Sequence, residues 1–216
     1  MSATVISVDA EGEVAAREAL ESCVASGGVA LFPADGVYGL CCDPIDQAAI
    51  ERIHRIKGRD EGKSSAVMYF DPLAMRELIS ELTPRLAGAV GRLLPGPVTL
   101  ILPNPGHRYP LACREDPERL GVRLIVGPLS GMPLPVFQTS ANLSGTPPAS
   151  AFDQVEPSIT GQVDLAIDGG SLQGEPSTVI DLTGFEAEGR WEVLREGALT
   201  SEIVSGLICG RVRDDH

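Results

Sequence analysis

Apolar positions recur along the chain in two rhythms, and their changeovers divide it into elements. From Glu11 to Ser26 the spacing of Val14, Leu20 and Val24 predicts a helix, stopped by Gly27-Gly28. Val29 to Phe32 is a short unbroken apolar run and predicts a buried strand, entering a turn at Pro33 to Gly36. A helix is expected from about Asp46, with Ala49, Ile50, Ile53 and Ile56 on one face, and Gly58 suits a left-handed cap behind Lys57. Ala66 to Phe70 then reads as a second strand. Helices are expected over Pro72–Leu82 and Pro84–Leu94, each with a proline at or near its start.

Beyond the Leu94-Pro95-Gly96-Pro97 turn, the expected strands are Val98–Leu102, Leu120–Val126 and Val136–Thr139. The Pro- and Gly-bearing stretches Pro103–Glu118 and Gly127–Pro135 between them read as loops. Ser150 suits the cap of a helix from Ala151 to about Ile159. Strands at Leu165–Ile167, Thr178–Leu182 and Trp191–Leu194 and a short helix from Ser201 to Cys209 complete the chain. Helices and strands alternate without a repeat or a long linker. That pattern predicts one α/β domain, residues 1–216, around a mostly buried sheet, with ligands on the loops at strand ends.

Charge sharpens this picture. The chain carries a formal net charge of −13, with 15 arginines and only two lysines, yet Arg52, Arg55, Lys57, Arg59 and Lys63 fall within twelve residues. Cations at a helix C-terminus are favoured by the helix dipole, which accounts for Arg52 and Arg55. It does not account for Lys63, or for lysine where arginine is used elsewhere, so an anion site is expected at this turn. The overall acidity argues against a protein that grips nucleic acid broadly, since that needs a basic footprint.

Five cysteines without C-x-x-C spacing, an adjacent Cys41-Cys42 pair that would point to opposite faces of a strand, and scattered histidines predict reduced thiols and no structural metal. With no signal peptide or transmembrane run, a cytoplasmic protein without a membrane role is expected. Gly58 to Ser64 superficially suggests a phosphate-binding P-loop. Its glycines are one residue too close, and it follows a helix instead of a strand, so that reading is set aside.

Several weak signals occur in a specific order. They are Pro33-x-Asp35-x-Val37-Tyr38-Gly39-Leu40, Lys57-Gly58-Arg59, Pro95-Gly96-Pro97-Val98-Thr99 and Ser140-Ala141-Asn142-Leu143-Ser144-Gly145, followed by Ser177-Thr178-Val179-Ile180-Asp181 and Val193-Leu194-Arg195-x-Gly197-Ala198. Taken together, from about Gly28 to Ala198, the chain resembles the threonylcarbamoyl-adenylate synthases, the YrdC-like family, in their short form.

The resemblance implies a single open twisted mixed sheet with flanking helices and a deep cationic cavity. It implies a nucleotidyltransferase that joins ATP, bicarbonate and L-threonine into threonylcarbamoyl-AMP and pyrophosphate, for threonylcarbamoyladenosine formation in tRNA. Carried over by motif, Lys57 and Arg59 would be the catalytic cations on the triphosphate, helped by Lys63. Ser140, Asn142, Ser150 and Arg195 would contact the nucleotide, and Tyr38, Arg123 and Ser177 the threonine or its carbamate. Mg2+ would enter with ATP. Downstream partners would be the tRNA threonylcarbamoyl transferase proteins, with weak RNA binding as an accessory property.

The chain departs from the family pattern at three places. Ala34 and Gly36 stand where threonines are usual, Met68 stands where a histidine is frequent, and the stretch after Arg123 is shortened to Leu124-Ile125-Val126-Gly127-Pro128. All three fall on the expected amino-acid side, and a hydroxyl lost at Gly36 would loosen the hold on threonine. The alternatives are a relative that adenylates a different acceptor and a module that binds RNA backbone in the cavity.

Overall fold

The computed structural model describes residues 3–58 and 65–210. Among these described residues ten strands form one mixed sheet. In chain order they are β1 (Thr4–Ser7), β2 (Ala30–Pro33), β3 (Tyr38–Cys42), β4 (Ala66–Tyr69), β5 (Val98–Pro103), β6 (Arg119–Leu124), β7 (Val136–Ser140), β8 (Leu165–Asp168), β9 (Thr178–Asp181) and β10 (Glu192–Arg195). Across the sheet they lie β1-β8-β2-β3-β7-β4-β6-β5-β9-β10. The β1–β8, β2–β8, β4–β6 and β5–β9 pairs are parallel and the other five antiparallel. Among the described residues no helix is long and apolar enough to cross a membrane.

The period-two alternation of the strands sorts their side chains into two cores. On one face Leu31, Leu40, Val67, Leu100, Val122 and Phe137 meet α2 (Gln47–Lys57), α4 (Pro84–Leu93) and α8 (Ser201–Ile208). On the other, Ala30, Phe32, Cys41, Met68 and Val136 meet Ala16, Leu20 and Val24 of α1 (Val8–Ala25). Cys41 and Cys42 fall in different cores, and both thiols are free.

The α2 helix shows how local sequence sets an element. Asp46 caps its start by accepting from the Ala49 amide at 3.0 Å, and Gly58 closes it at φ 56° and ψ 35°. Ile50, Ile53 and Ile56 are 1%, 0% and 3% exposed, a burial that contributes roughly 1.5–3 kcal/mol per side chain. The last turn therefore delivers Lys57 to a defined place.

Four expectations are corrected. β1 and β3 are strands that short, mixed-polarity runs at Thr4 and Tyr38 do not announce. The Pro72–Leu82 segment is helical only at α3 (Arg76–Ser80), because Asp71 accepts from the Leu73 amide at 2.8 Å and winds the preceding residues into turns. The helix expected after Ser150 is a 3-10 turn (Phe152–Gln154) and a one-turn α6 (Pro157–Thr160). Pro157 disfavours helical geometry at Glu156, whose ψ is 128°, and Ser150 caps nothing. Finally, the loops hold two one-turn helices, α5 (Pro110–Cys113) and α7 (Phe185–Glu188).

Removing the α2 cap isolates its contribution. Asp46→Ala is expected to lower stability by about 0.5–2 kcal/mol in urea titration, and an unchanged midpoint would show that tertiary packing alone holds the helix.

Candidate active site

The face that α1 covers over one half of the sheet is, among the described residues, not covered by a helix over the other half. There β4, β5, β6, β7 and β9 turn Ala66, Thr99, Ile101, Arg119, Gly121, Arg123, Gln138 and Val179 into a cavity of about 600 Å³. The floor is low because small residues sit side by side. Ile101 pairs with Gly121, Gly121 with Ala66, and Ala66 with Gln138. The wall is completed by Ser140 and Asn142, by Pro176 and Ser177, and by Leu194 and Arg195.

Arg195 reaches the cavity through a break in strand register. Val193 pairs with Ile180, but Arg195 pairs with Val179, so one extra residue stands between them. Ile180 belongs to the core and Val179 lines the cavity. The bulge thus keeps Val193 against the core and turns both Leu194 and Arg195 to the cavity. Arg195 Nη2 donates to the Ser177 carbonyl at 2.8 Å and stands 3.4 Å from its hydroxyl, which is 2.8 Å from Thr99 Oγ1. Burial lowers the Arg195 pKa.

Arg123 lies deepest, 4% exposed. Its guanidinium meets Asp35 Oδ2 at 3.3 Å and the Ala34 carbonyl at 3.5 Å, while Nε is buried without a partner. Burial pushes its pKa down to about 10, with Asp35 opposing and Arg195 reinforcing. The Asp35 carboxyl is raised, again by burial first, with Arg123 opposing. Both partners shift toward neutrality because one long contact does not offset the loss of water.

Lys57 and the turn after β7 form a second junction. The Lys57 ammonium donates to the Ser140 carbonyl and to Asn142 Oδ1 at 3.3 Å, and the Lys57 carbonyl accepts from the Ser144 amide at 3.0 Å. The Ser140 hydroxyl donates to the same amide oxygen of Asn142.

The structure therefore brings Ser140, Asn142, Arg123, Ser177 and Arg195 to one cavity, with Lys57 against its wall. Arg59 and Lys63 lie outside the described residues. Two candidates stand elsewhere. Tyr38 belongs to the opposite core, where its hydroxyl donates to Gly170 O at 2.8 Å and accepts from the Gly169 amide at 3.0 Å. Burial pushes its pKa up to about 12. The Ser150 hydroxyl donates to Gln154 at 3.3 Å and is not among the residues lining the cavity.

Sequence reading named Asp35 and Thr99 only as motif positions without a site role, and passed over Arg119 and Gln138. A signal existed in Arg119-Leu120-Gly121-Val122-Arg123, where polar and apolar positions alternate strictly. Arg119 pairs with Asp181 and stands 3.8 Å from Asp116.

The substrate-facing role expected at Gly36 is also corrected. A Cβ there would stand 1.9 Å from the Glu175 carbonyl oxygen, and the Gly36 carbonyl accepts from the Gly174 amide at 2.8 Å. Gly197 presses from the other side, where a Cβ would meet the Pro176 carbonyl at 2.1 Å. The Glu175–Ser177 segment is held between these two glycines. Ala34 and Met68, at 1% and 0% exposed, are packed in the second core.

An open mixed sheet with flanking helices and an arginine-bearing cavity on one face defines an α/β protein with a single-face cleft. The family model for the Sua5/YciO/YrdC domain, described as telomere recombination, matches residues 22–197, and the chain belongs to this family. It is 34% identical over 151 residues to a threonylcarbamoyl-AMP synthase of Nitrosococcus oceani, covering 68% of this chain and 81% of that protein. Among solved structures, Sua5 of Pyrococcus abyssi complexed with L-threonine superposes with a TM-score of 0.80 at 27% identity. That match covers 96% of this chain but 61% of the longer Sua5 chain. YciO of E. coli superposes with a TM-score of 0.77 at 28% identity, covering 93% of this chain and 98% of YciO.

Gly36→Ala is expected to force the Glu175–Ser177 segment outward. Overpacking against backbone costs roughly 1–3 kcal/mol, so the urea midpoint should fall, and Gly36→Thr should fare no better. A variant of native stability would show that the segment yields freely.

Proposed function

We propose that this chain is an L-threonylcarbamoyladenylate synthase, acting in the cytoplasm on ATP, bicarbonate and L-threonine. The observation that carries the proposal is the convergence of Arg123, Ser177, Arg195, Ser140 and Asn142 on one cavity, in a chain similar to proteins of that name. A volume of about 600 Å³ suits a nucleotide and an amino acid together.

In this reading the threonine amine and bicarbonate form a carbamate with loss of water. A carbamate oxygen then attacks the α-phosphate, and pyrophosphate leaves. No covalent enzyme nucleophile is required. The protein's work is to hold the reactants in line and to meet the negative charge that shifts onto the departing pyrophosphate. Lys57, Arg59 and Lys63 take the triphosphate, Asn142 and Arg195 the rest of the nucleotide, and Arg123 and Ser177 the carboxylate and carbamate. Arg123 is suited to its part by an Nε that has no protein partner and by a charge that burial leaves poorly solvated.

Among the described residues the lining carries one carboxylate, Asp116, and no group of three or more His, Cys, Asp or Glu could hold a metal. This donor set fits a Mg2+ carried on ATP phosphates and water. The product would pass to the proteins that transfer threonylcarbamoyl to tRNA. Any hold on RNA would be weak, given the net charge of −13.

A second reading, a relative with another amine as acceptor, is favoured by one observation. Ala34 and Met68 bring neither hydroxyl nor imidazole to the amino-acid end, and Arg123 meets a bare backbone carbonyl there. Measuring AMP and pyrophosphate release against a panel of amino acids, with and without bicarbonate, separates the two. Threonine- and bicarbonate-dependent turnover is expected, and its absence would pass the assignment to the second reading.

Lys57→Ala and Arg59→Ala are each expected to reduce that turnover about 10- to 150-fold, the loss of one charge-assisted hydrogen bond. Circular dichroism should show the fold retained. Near-normal turnover in both would remove the triphosphate from this turn.

A further inference from the structure

We infer that Thr99 is a positioning residue that fixes the Ser177 hydroxyl as a donor to the bound carbamate or carboxylate. The inference rests on the proposed reading, in which Ser177 meets the amino-acid end of the substrate.

Thr99 is the polar residue of an otherwise apolar strand, Val98–Pro103, and is 9% exposed. That strand is paired on both sides, by β6 and β9, so its backbone is fixed. Branching at Cβ restricts the side-chain rotamer further, and its hydroxyl is therefore held in one direction. The partner it meets is Ser177 Oγ, at 2.8 Å. Ser177 itself has a free rotor and no β-branch. Without a neighbour to fix it, its proton could point several ways.

The direction of the bond follows from the surrounding charge. Arg195 Nη2 stands 3.4 Å from Ser177 Oγ and attracts its lone pairs. An anionic substrate oxygen in the cavity attracts its proton. With Thr99 donating, the chain runs from Thr99 to Ser177 to the anion, each bond polarising the next in the same sense. Arg195, assigned to the nucleotide, donates to the same Ser177 hydroxyl that faces the amino acid, so Ser177 stands where the two substrates are joined.

The test is steady-state AMP formation with L-threonine and ATP varied separately, in wild type, Thr99→Val, Thr99→Ser, Ser177→Ala and the Thr99→Val/Ser177→Ala double variant. Thr99→Val keeps the shape and removes the hydroxyl. It should lower kcat/KM for threonine roughly two- to twelvefold, with the KM for ATP little changed. Thr99→Ser should restore most of the loss. In the Ser177→Ala background, Thr99→Val should cost nothing further, since there is no hydroxyl left to position. Thr99→Ala serves the same purpose if the valine variant folds poorly, as judged by circular dichroism.

Wild-type kinetics in Thr99→Val, or losses that simply add in the double variant, would overturn the positioning role while leaving the function intact. Wild-type protein without threonine-dependent AMP formation would instead overturn the functional reading, and this inference with it.

Discussion

A guanidinium held at 4% exposure on the face of a sheet is the constraint around which the rest is arranged. Taking a charge out of water costs several kcal/mol unless it is well paired, and Arg123 has one carboxylate at 3.3 Å and one carbonyl at 3.5 Å. The fold accepts strain to supply even that much. Asp35 sits at φ 78°, a region that disfavours residues other than glycine, and so points its carboxylate back at the arginine. Residual attraction for an anion is what an under-paired cation leaves behind. A site that satisfied Arg123 fully would have nothing to offer a substrate.

The same economy explains the division of the second sheet face. Helix α1 covers the strands where apolar side chains project, from Ala30 to Ile167. Where Thr99, Arg119, Gly121, Arg123 and Gln138 project, no helix of the described residues lies over the sheet and the cavity takes its place. The other face, continuous from Leu31 to Ile180, is left to carry stability. Binding chemistry and core are thus separated by a step of one residue along each strand.

Much of this was legible in the chain. The α2 helix appeared with its cap, its buried isoleucines and its terminal glycine, because all three signals are local. The ordered motifs marked Lys57, Ser140, Asn142, Ser177 and Arg195, and the family resemblance added Arg123, although they are far apart in sequence. What was not legible depends on contacts across the fold. Tyr38 looks like a site residue until its hydroxyl is seen to be spent on Gly169 and Gly170. Gly36 looks like a lost threonine until Glu175 is found against it. Ser150 reads as a cap until Pro157, seven residues on, breaks the helix it would have started.

The bulge at Leu194 carries a further consequence. Among the described residues strand β10 is paired on one side only, so its side chains are oriented by its register with β9 as much as by their kind. Every residue there could be kept and the site still lost. Straightening the bulge with every residue in place would set Leu194 opposite Val179 and Arg195 opposite Thr178, preserve the hydrogen-bonded ladder, and turn the guanidinium to the core side of the sheet. In this stretch the direction of a cation is encoded in the register of a ladder, and the bulge belongs to the site as much as the guanidinium it turns.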